Sequence, residues 1–206
     1  MDADARRAGP AVALTVLALT LGQLVVATVA SDLPQFEGKG FAARLLAYPL
    51  LMLAVPLAWA LSERRRRARG ATRAVPWAGF ALVMLPFLVD VSGNSLDLYD
   101  TLPWWDDALH AGNWFLLCTG LGLVLDVEAL RPRWSAAVVV VGGGALLALL
   151  WEVGEWWSFI RHGTELATAY EDTLGDMVLG TSGSALAVLA LRLLARRTPA
   201  PVSAGG

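Results

Sequence analysis

Apolar residues in this chain fall into six blocks of about 20 residues, separated by short polar segments. A helix of that length crosses roughly 30 Å of hydrocarbon, whereas a soluble helix shows an apolar stripe opposite a polar face. The pattern predicts an all-α fold: a polytopic integral membrane protein, a bundle of six transmembrane helices forming a single transmembrane domain over residues 1–206. The predicted spans cover residues 10–30, 41–61, 74–92, 108–125, 134–153 and 175–195.

Composition agrees with this architecture. Hydrophobic residues make up 56% of the chain and charged residues 17%, against about 25% charged residues in a soluble domain. Cys118 is the sole cysteine, which excludes an internal disulfide. Membrane lipids are the predicted partners, no nucleic-acid motif is present, and no pattern specifies an oligomeric state. Because the connections are short, successive spans are expected to pack as antiparallel neighbours.

Basic residues predict the orientation. With the N-terminus inside, thirteen Lys or Arg residues lie in the inner segments and three, Lys39, Arg44 and Arg161, on the outer side. The inner residues are Arg6, Arg7, Arg64, Arg65, Arg66, Arg67, Arg69, Arg73, Arg131, Arg133, Arg192, Arg196 and Arg197. By the positive-inside rule the chain is a multi-pass membrane protein with both termini in the cytoplasm. The first span is too long for a signal-peptide core, so we expect a retained helix rather than a cleaved one.

Acidic residues concentrate on the opposite, outer side, and several are spaced so that they share a helix face. The pairs three or four residues apart are Asp106 and His110, Asp107 and His110, Glu152 and Glu155, and Asp172 and Asp176. They occupy the start of span four, the end of span five and the start of span six, which all lie at one membrane surface. Asp90, near the outer end of span three, can join them.

Carboxylates from facing helices with one imidazole are a ligand set for a divalent cation such as Mg²⁺, Mn²⁺, Fe²⁺ or Zn²⁺. Without a cation, such clustered carboxylates repel one another and some take up protons. The sequence thus predicts either a divalent metal ion site or a proton-exchanging one. The predicted metal ligands are His110, Glu152, Glu155, Asp172 and Asp176, with Asp106, Asp107, Asp90 and Arg44 as additional ligands or countercharge.

Helix capping is the alternative explanation for Asp106 and Asp107 at span four, and for Asp172 at span six. Acids in a first helical turn are also favoured by the helix dipole. Neither effect accounts for His110, Glu152 and Asp176, because ionisable groups inside or at the edge of an apolar span are costly and usually face the bundle interior.

Two further features bear on this cluster. Small residues in span six, including Gly180 and Gly183, together with Gly142–Gly144 in span five, predict close packing that brings Asp176 near Glu152. Arg44 either snorkels to the headgroups or faces the acidic cluster as a countercharge or phosphate contact.

Three ordered motifs carry a family resemblance: Trp105–His110 (WDDALH), Trp151–Trp156 (WEVGEW) and Glu171–Met177 (EDTLGDM). They resemble the uncharacterised YjdF-like multipass bacterial inner-membrane proteins, and more distantly VanZ-like proteins. The resemblance implies a protein of the bacterial cytoplasmic (inner) membrane whose motif residues are those already singled out. It supplies no activity. Where relatives have Asp-Lys, this chain has Asp106-Asp107, so no role for that lysine carries over.

Three functions fit these residues. One is a metal-dependent enzyme at the outer face acting on a lipid headgroup or phosphate, and another is an ion or proton carrier. The third is a structural or regulatory membrane protein whose polar groups only lock the helices together. Whether the protein is an enzyme is not decided by sequence: neither a nucleophile elbow nor a phosphate-binding loop is present.

The orientation is testable by single-cysteine labelling in a Cys118→Ser background. Because of the basic asymmetry, a cysteine at Arg66 should react with a membrane-impermeant maleimide only after the cells are opened. A cysteine at Thr101 should react in intact cells. Labelling of position 66 from outside intact cells contradicts the orientation.

Overall fold

A computed structural model describes residues 3–158, 160–162 and 164–197. They form α-helices joined by short connections, two of which contain 3₁₀-helical segments. Six of the helices are long and apolar enough to cross a membrane, and α4 is a single turn. This confirms the predicted all-α bundle of six transmembrane helices. The helices are α1 (Ala3–Val29), α2 (Phe41–Arg67), α3 (Trp77–Ser95), α4 (Leu98–Thr101), α5 (Trp105–Leu125), α6 (Trp134–Ser158) and α7 (Ala169–Arg197).

The long helices follow one another across the bundle in the order α2, α1, α3, α5, α7, α6. The expectation that successive spans are neighbours is therefore wrong for two pairs: α2 contacts α3, and α5 contacts α6, only to a minor extent. Helix α7 packs against both α5 and α6, and α1 packs against α3. The most interior helices are α3 and α5.

The outer surface of the bundle is apolar. Leu46 and Leu50 on α2 are 73% and 72% exposed, and large aliphatic side chains on α1, α6 and α7 are likewise exposed. Such a surface would be a liability in water but is the one that hydrocarbon solvates. Exposed tryptophans lie near both ends of the bundle, with Trp104 and Trp157 at one end and Trp134 at the other, as in an interfacial aromatic belt.

Small residues allow the closest helix contacts, as the sequence predicts. A β-carbon added at Gly183 on α7 would collide with the Ala111 backbone carbonyl on α5, and one at Gly180 would lie 2.7 Å from the Trp114 ring. On the other side of α7, a β-carbon at Gly144 of α6 would collide with Ser184. Gly142 and Gly143 meet nothing within 4 Å. Backbone contact through Gly183 therefore sets the separation of α5 and α7.

The contact at Gly183 generates a stability prediction. Gly183→Ala should lower the free energy of unfolding by about 1–3 kcal/mol, because the new methyl group meets a backbone carbonyl that cannot rotate away. Gly142→Ala is the matched control, since it adds the same methyl group where nothing lies near and alanine is the better helix former. Thermal unfolding in detergent measures both. Equal melting temperatures for the two variants would show that the α5–α7 contact is not tight.

Candidate metal site at the outer end of the bundle

Helix α5 supplies the central residue of the site. The helix begins at Trp105, and Trp104 occupies the N-cap position without a side-chain cap hydrogen bond. Capping by Asp106 or Asp107 is therefore the wrong explanation for these residues. Both lie in the first turn of α5, where the helix dipole favours negative charge. Four residues after Asp106, on the same helix face, His110 is 9% exposed.

Helices α6 and α7 bring carboxylates to both edges of the His110 ring. Asp176 Oδ2 lies 3.6 Å from His110 Nε2, and Asp106 Oδ1 lies 3.8 Å from the same nitrogen. On the other edge, Glu152 Oε1 lies 3.9 Å from His110 Nδ1. All three separations exceed the usual range of an N–H···O hydrogen bond. Nδ1 has no hydrogen-bond partner among the described residues.

The polar groups at this end are deeply placed. Glu152 is 3% and Asp176 4% exposed, while Glu155 is half-buried. Two ligand groups result, each with its ligand atoms within 4.8 Å of one another. One contains Asp106, His110 and Asp176, and the other His110, Glu152 and Glu155. Their geometry suits a metal ion; metal binding itself stays a prediction.

Asp107 and Asp172 lie at the edge of this arrangement. Both residues are exposed. Asp172 is close enough to His110 and Glu152 to interact with them electrostatically, but it belongs to neither ligand group. Because α7 begins at Ala169, before Asp172, capping is also the wrong explanation for this residue.

A second polar cluster, centred on Asp90 of α3, is fully bonded. Asp90 Oδ2 accepts hydrogen bonds from Arg44 Nη1 at 3.0 Å and from the Tyr48 hydroxyl at 2.6 Å. Its Oδ1 accepts one from the Tyr99 hydroxyl at 2.7 Å. Burial and the adjacent Asp90 charge raise the pKa of Tyr99 above its ordinary range, so the phenol remains a donor.

The Arg44 guanidinium lies inside this cluster. The side chain is 20% exposed, its guanidinium carbon lies 5.3 Å from the centre of the Phe41 ring, and it interacts electrostatically with Glu155. The head group thus points toward Asp90 rather than snorkelling. Nearby, a hydrogen bond from Lys39 lowers the pKa of Asp100.

A cavity of about 420 Å³ connects the two clusters. Its apolar lining includes Phe87, Leu109 and Trp151, and its polar lining contains acids and bases from five helices and a loop. The charged or titratable lining residues are Lys39, Arg44, Tyr48, Asp90, Tyr99, Asp100, Asp106, His110 and Glu155. His110 therefore has one side toward the cavity and another toward buried Asp176 and Glu152.

Sequence reasoning missed several residues of this cavity. The position of Tyr48, four residues after Arg44 on one helix face, was a usable signal. No sequence pattern indicated Tyr99. This residue lies on the short helix α4, and the chain reverses before α4 at Asp97, which has a left-handed conformation (φ 58°). Lys39 and Asp100 are 61 residues apart, and no local pattern pairs them.

Comparison with known proteins adds the family. Residues 12–197 match the family model described as "Predicted membrane protein (DUF2238)". No curated protein and no solved structure matches the chain. The family match supports the predicted resemblance at the level of an uncharacterised membrane-protein family, and the YjdF-like and VanZ-like names stay predictions.

The Asp90 cluster predicts a stability difference between two outer-end aspartates. Asp90→Asn should lower the free energy of unfolding by at least about 2 kcal/mol, because it removes the charge that Arg44 and two tyrosines share in a half-buried site. Asp107→Asn makes the same chemical change at an exposed position and should alter it by less than about 0.5 kcal/mol. Thermal unfolding compares them. If Asp90→Asn left the free energy of unfolding unchanged, the Asp90 cluster would contribute nothing to the stability of the fold.

Proposed function

We propose that this chain, which belongs to the DUF2238 family of predicted membrane proteins, binds a divalent cation at the outer end of the bundle through His110, Asp106 and Asp176. One observation carries the proposal. A buried imidazole has carboxylate oxygens at 3.6–3.9 Å from both ring nitrogens, with Nδ1 lacking a hydrogen-bond partner in the described part of the chain. An unbonded polar group in such surroundings is costly. A cation on Nε2 would fix the tautomer in which Nδ1 carries the hydrogen and can donate it to a carboxylate.

The spacing fits ligands of one ion better than hydrogen bonds. Two ligand atoms that each lie about 2.1 Å from a metal are about 3.4 Å apart at a tetrahedral angle. The His110–Asp176 and His110–Asp106 separations, 3.6 and 3.8 Å, require only a small side-chain adjustment to meet that geometry. The ligand types suit Mn²⁺, Fe²⁺ or Zn²⁺, and Mg²⁺ with more water ligands.

The two edges of the ring take different roles. One imidazole nitrogen binds the cation, and the other donates its hydrogen to an orienting carboxylate, as is usual for metal-bound histidine. We assign Nε2 to the cation, because Asp106 is half-exposed and leaves coordination positions open to the outside. Nδ1 would then donate to buried Glu152 after a small movement closes their 3.9 Å separation. Glu152 thus becomes a positioning residue, and Glu155 belongs to the same group of side chains. Asp172 adds negative charge at the entrance.

The activity that this arrangement supports best is hydrolysis or transfer at a phosphate-bearing headgroup. A bound divalent cation would supply Lewis-acid activation of water or of a phosphoryl oxygen. Across the cavity, Arg44 presents a guanidinium held by Asp90, a group suited to phosphate. Glu155 lines the same cavity and can accept a proton, while Phe87 and Leu109 provide an apolar surface for a lipid tail.

An ion or proton carrier is the second candidate, favoured by the burial of Glu152 and Asp176 within helices that can span a membrane. The position at one end of the bundle is less suited to a carrier, whose site commonly lies near the midplane between repeats. Flux of protons or Mn²⁺ through proteoliposomes, without hydrolytic activity, would favour the carrier.

The membrane location follows from the charges. We propose that the site faces the extracytoplasmic side of a bacterial inner membrane and that both ends of the chain are cytoplasmic, because the basic residues concentrate at the opposite end. Residues 198–206, which complete the predicted cytoplasmic C-terminus, lie outside the described part of the chain.

Metal binding gives the direct test. At a Mn²⁺ or Zn²⁺ concentration about 100 times Kd, a specific site should stabilise the wild-type protein by about 2.7 kcal/mol. The double variant Glu152→Gln, Asp176→Asn should lose this stabilisation and most of the bound metal, because it removes a ligand charge and the charge that orients His110. Thermal unfolding and elemental analysis of detergent-purified protein measure the two effects.

The matched control is Asp32→Asn with Glu37→Gln, two exposed carboxylates of the first outer loop. It neutralises the same number of charges at the same end of the bundle and should respond to metal like the wild type. Equal metal content and equal stabilisation in wild type and the Glu152, Asp176 double variant would defeat the proposed site.

A further inference from the structure

A basic cavity lies at the end of the bundle opposite His110. It has a volume of about 480 Å³ and is lined by Glu128, Arg131, Arg133, Arg192, Ala195 and Arg196. Two of the arginines come from the connection before α6 and two from the last turns of α7. Four guanidinium groups thus face one space with a single carboxylate among the lining residues.

Orientation and helix-dipole effects explain why arginines are present at this end, but not why two separate segments direct them to one cavity. Like charges that share a site repel one another. Arg131 is also held in place, because its Nη1 donates to the backbone carbonyls of Glu128 and Leu130 at 2.9 and 2.7 Å. The excess of positive charge, with Arg131 held in place, therefore selects an anion with several acceptor oxygens.

The surroundings indicate where that anion comes from. Leu193 on α7 and Trp134 at the start of α6 are 54% and 64% exposed, on helices that can span a membrane. The cavity consequently lies where a helix surface suited to acyl chains ends, at the level of lipid phosphates. Basic pockets between transmembrane helices at this level suit anionic headgroups.

We propose that this cavity is a binding site for the phosphate group of an anionic lipid, held by Arg192 and Arg196 from α7 and by Arg131 and Arg133 from the preceding connection. A guanidinium group can bind two phosphate oxygens at once. One phosphate held by arginines from both segments would therefore link the end of α7 to the start of α6. This site is independent of the metal site, which lies at the other end of both helices.

Native mass spectrometry of the full chain, with phosphatidylglycerol titrated into a phosphatidylcholine background, tests the proposal. The wild-type protein should retain one phosphatidylglycerol in preference to phosphatidylcholine. The double variant Arg192→Gln, Arg196→Gln should bind phosphatidylglycerol about 30-fold more weakly, because two arginines near the membrane surface no longer attract the anionic headgroup. Arg131 is left unchanged because it also bonds the backbone.

The control double variant Arg65→Gln, Arg66→Gln removes the same charge from exposed positions at the same end of the bundle and should change the affinity by less than about 2-fold. Equal weakening in both double variants would mean general surface attraction and overturn the site. Displacement of the lipid by millimolar inorganic phosphate would overturn the assignment to a lipid. If the Arg192, Arg196 double variant does not fold in phosphatidylcholine, the single variant Arg133→Gln is used in its place. Its affinity for phosphatidylglycerol should be about 5-fold weaker than that of the wild type.

Discussion

The close approach of α7 to α5 is the contact on which the outer site depends. Gly183 lies against the Ala111 carbonyl with no room for a β-carbon, and this places the preceding turns of α7 beside the first turns of α5. Asp176, seven residues before Gly183, then faces His110, one residue before Ala111. A side chain at the glycine would move the α7 backbone outward, and the 3.6 Å separation of Asp176 and His110 would increase with it. Packing and chemistry are therefore specified by the same helix faces.

The outer end contains two kinds of polar cluster, and their difference carries the functional argument. Around Asp90, both carboxylate oxygens accept hydrogen bonds from Arg44 and two tyrosines, so this cluster needs no ligand. Around His110, one imidazole lies among several carboxylates without a direct hydrogen bond to them. Burial makes that state expensive, and the proposed divalent cation would balance both charge and geometry. The cluster around Asp90 holds Arg44 across the cavity from His110.

The architecture and the convergence of His110, Glu152 and Asp176 could be predicted from the sequence, because membrane helices have simple rules. Uninterrupted apolar blocks give the spans, and spacings of three or four place His110 with Asp106, and Glu152 with Glu155, on single faces. Ionisable residues in such blocks are rare enough to be informative. The order in which the helices pack in the bundle could not be predicted, because lipid-facing and helix-facing apolar residues are alike in composition. The insertion of α7 between α5 and α6 depends on Gly180, Gly183 and Gly144, whose partners only the three-dimensional packing reveals. Tyr99 was missed for the same reason, since a chain reversal brings it to Asp90.

Pulsed electron paramagnetic resonance of bound Mn²⁺ shows whether His110 binds a divalent cation through a ring nitrogen. A hyperfine coupling from one histidine nitrogen is expected in the wild-type protein. That coupling should disappear in His110→Gln and persist when His162, the other histidine of the chain, is replaced instead. Mn²⁺ bound without a nitrogen coupling, or a coupling unchanged in His110→Gln, would rule out His110 as a ligand of the cation.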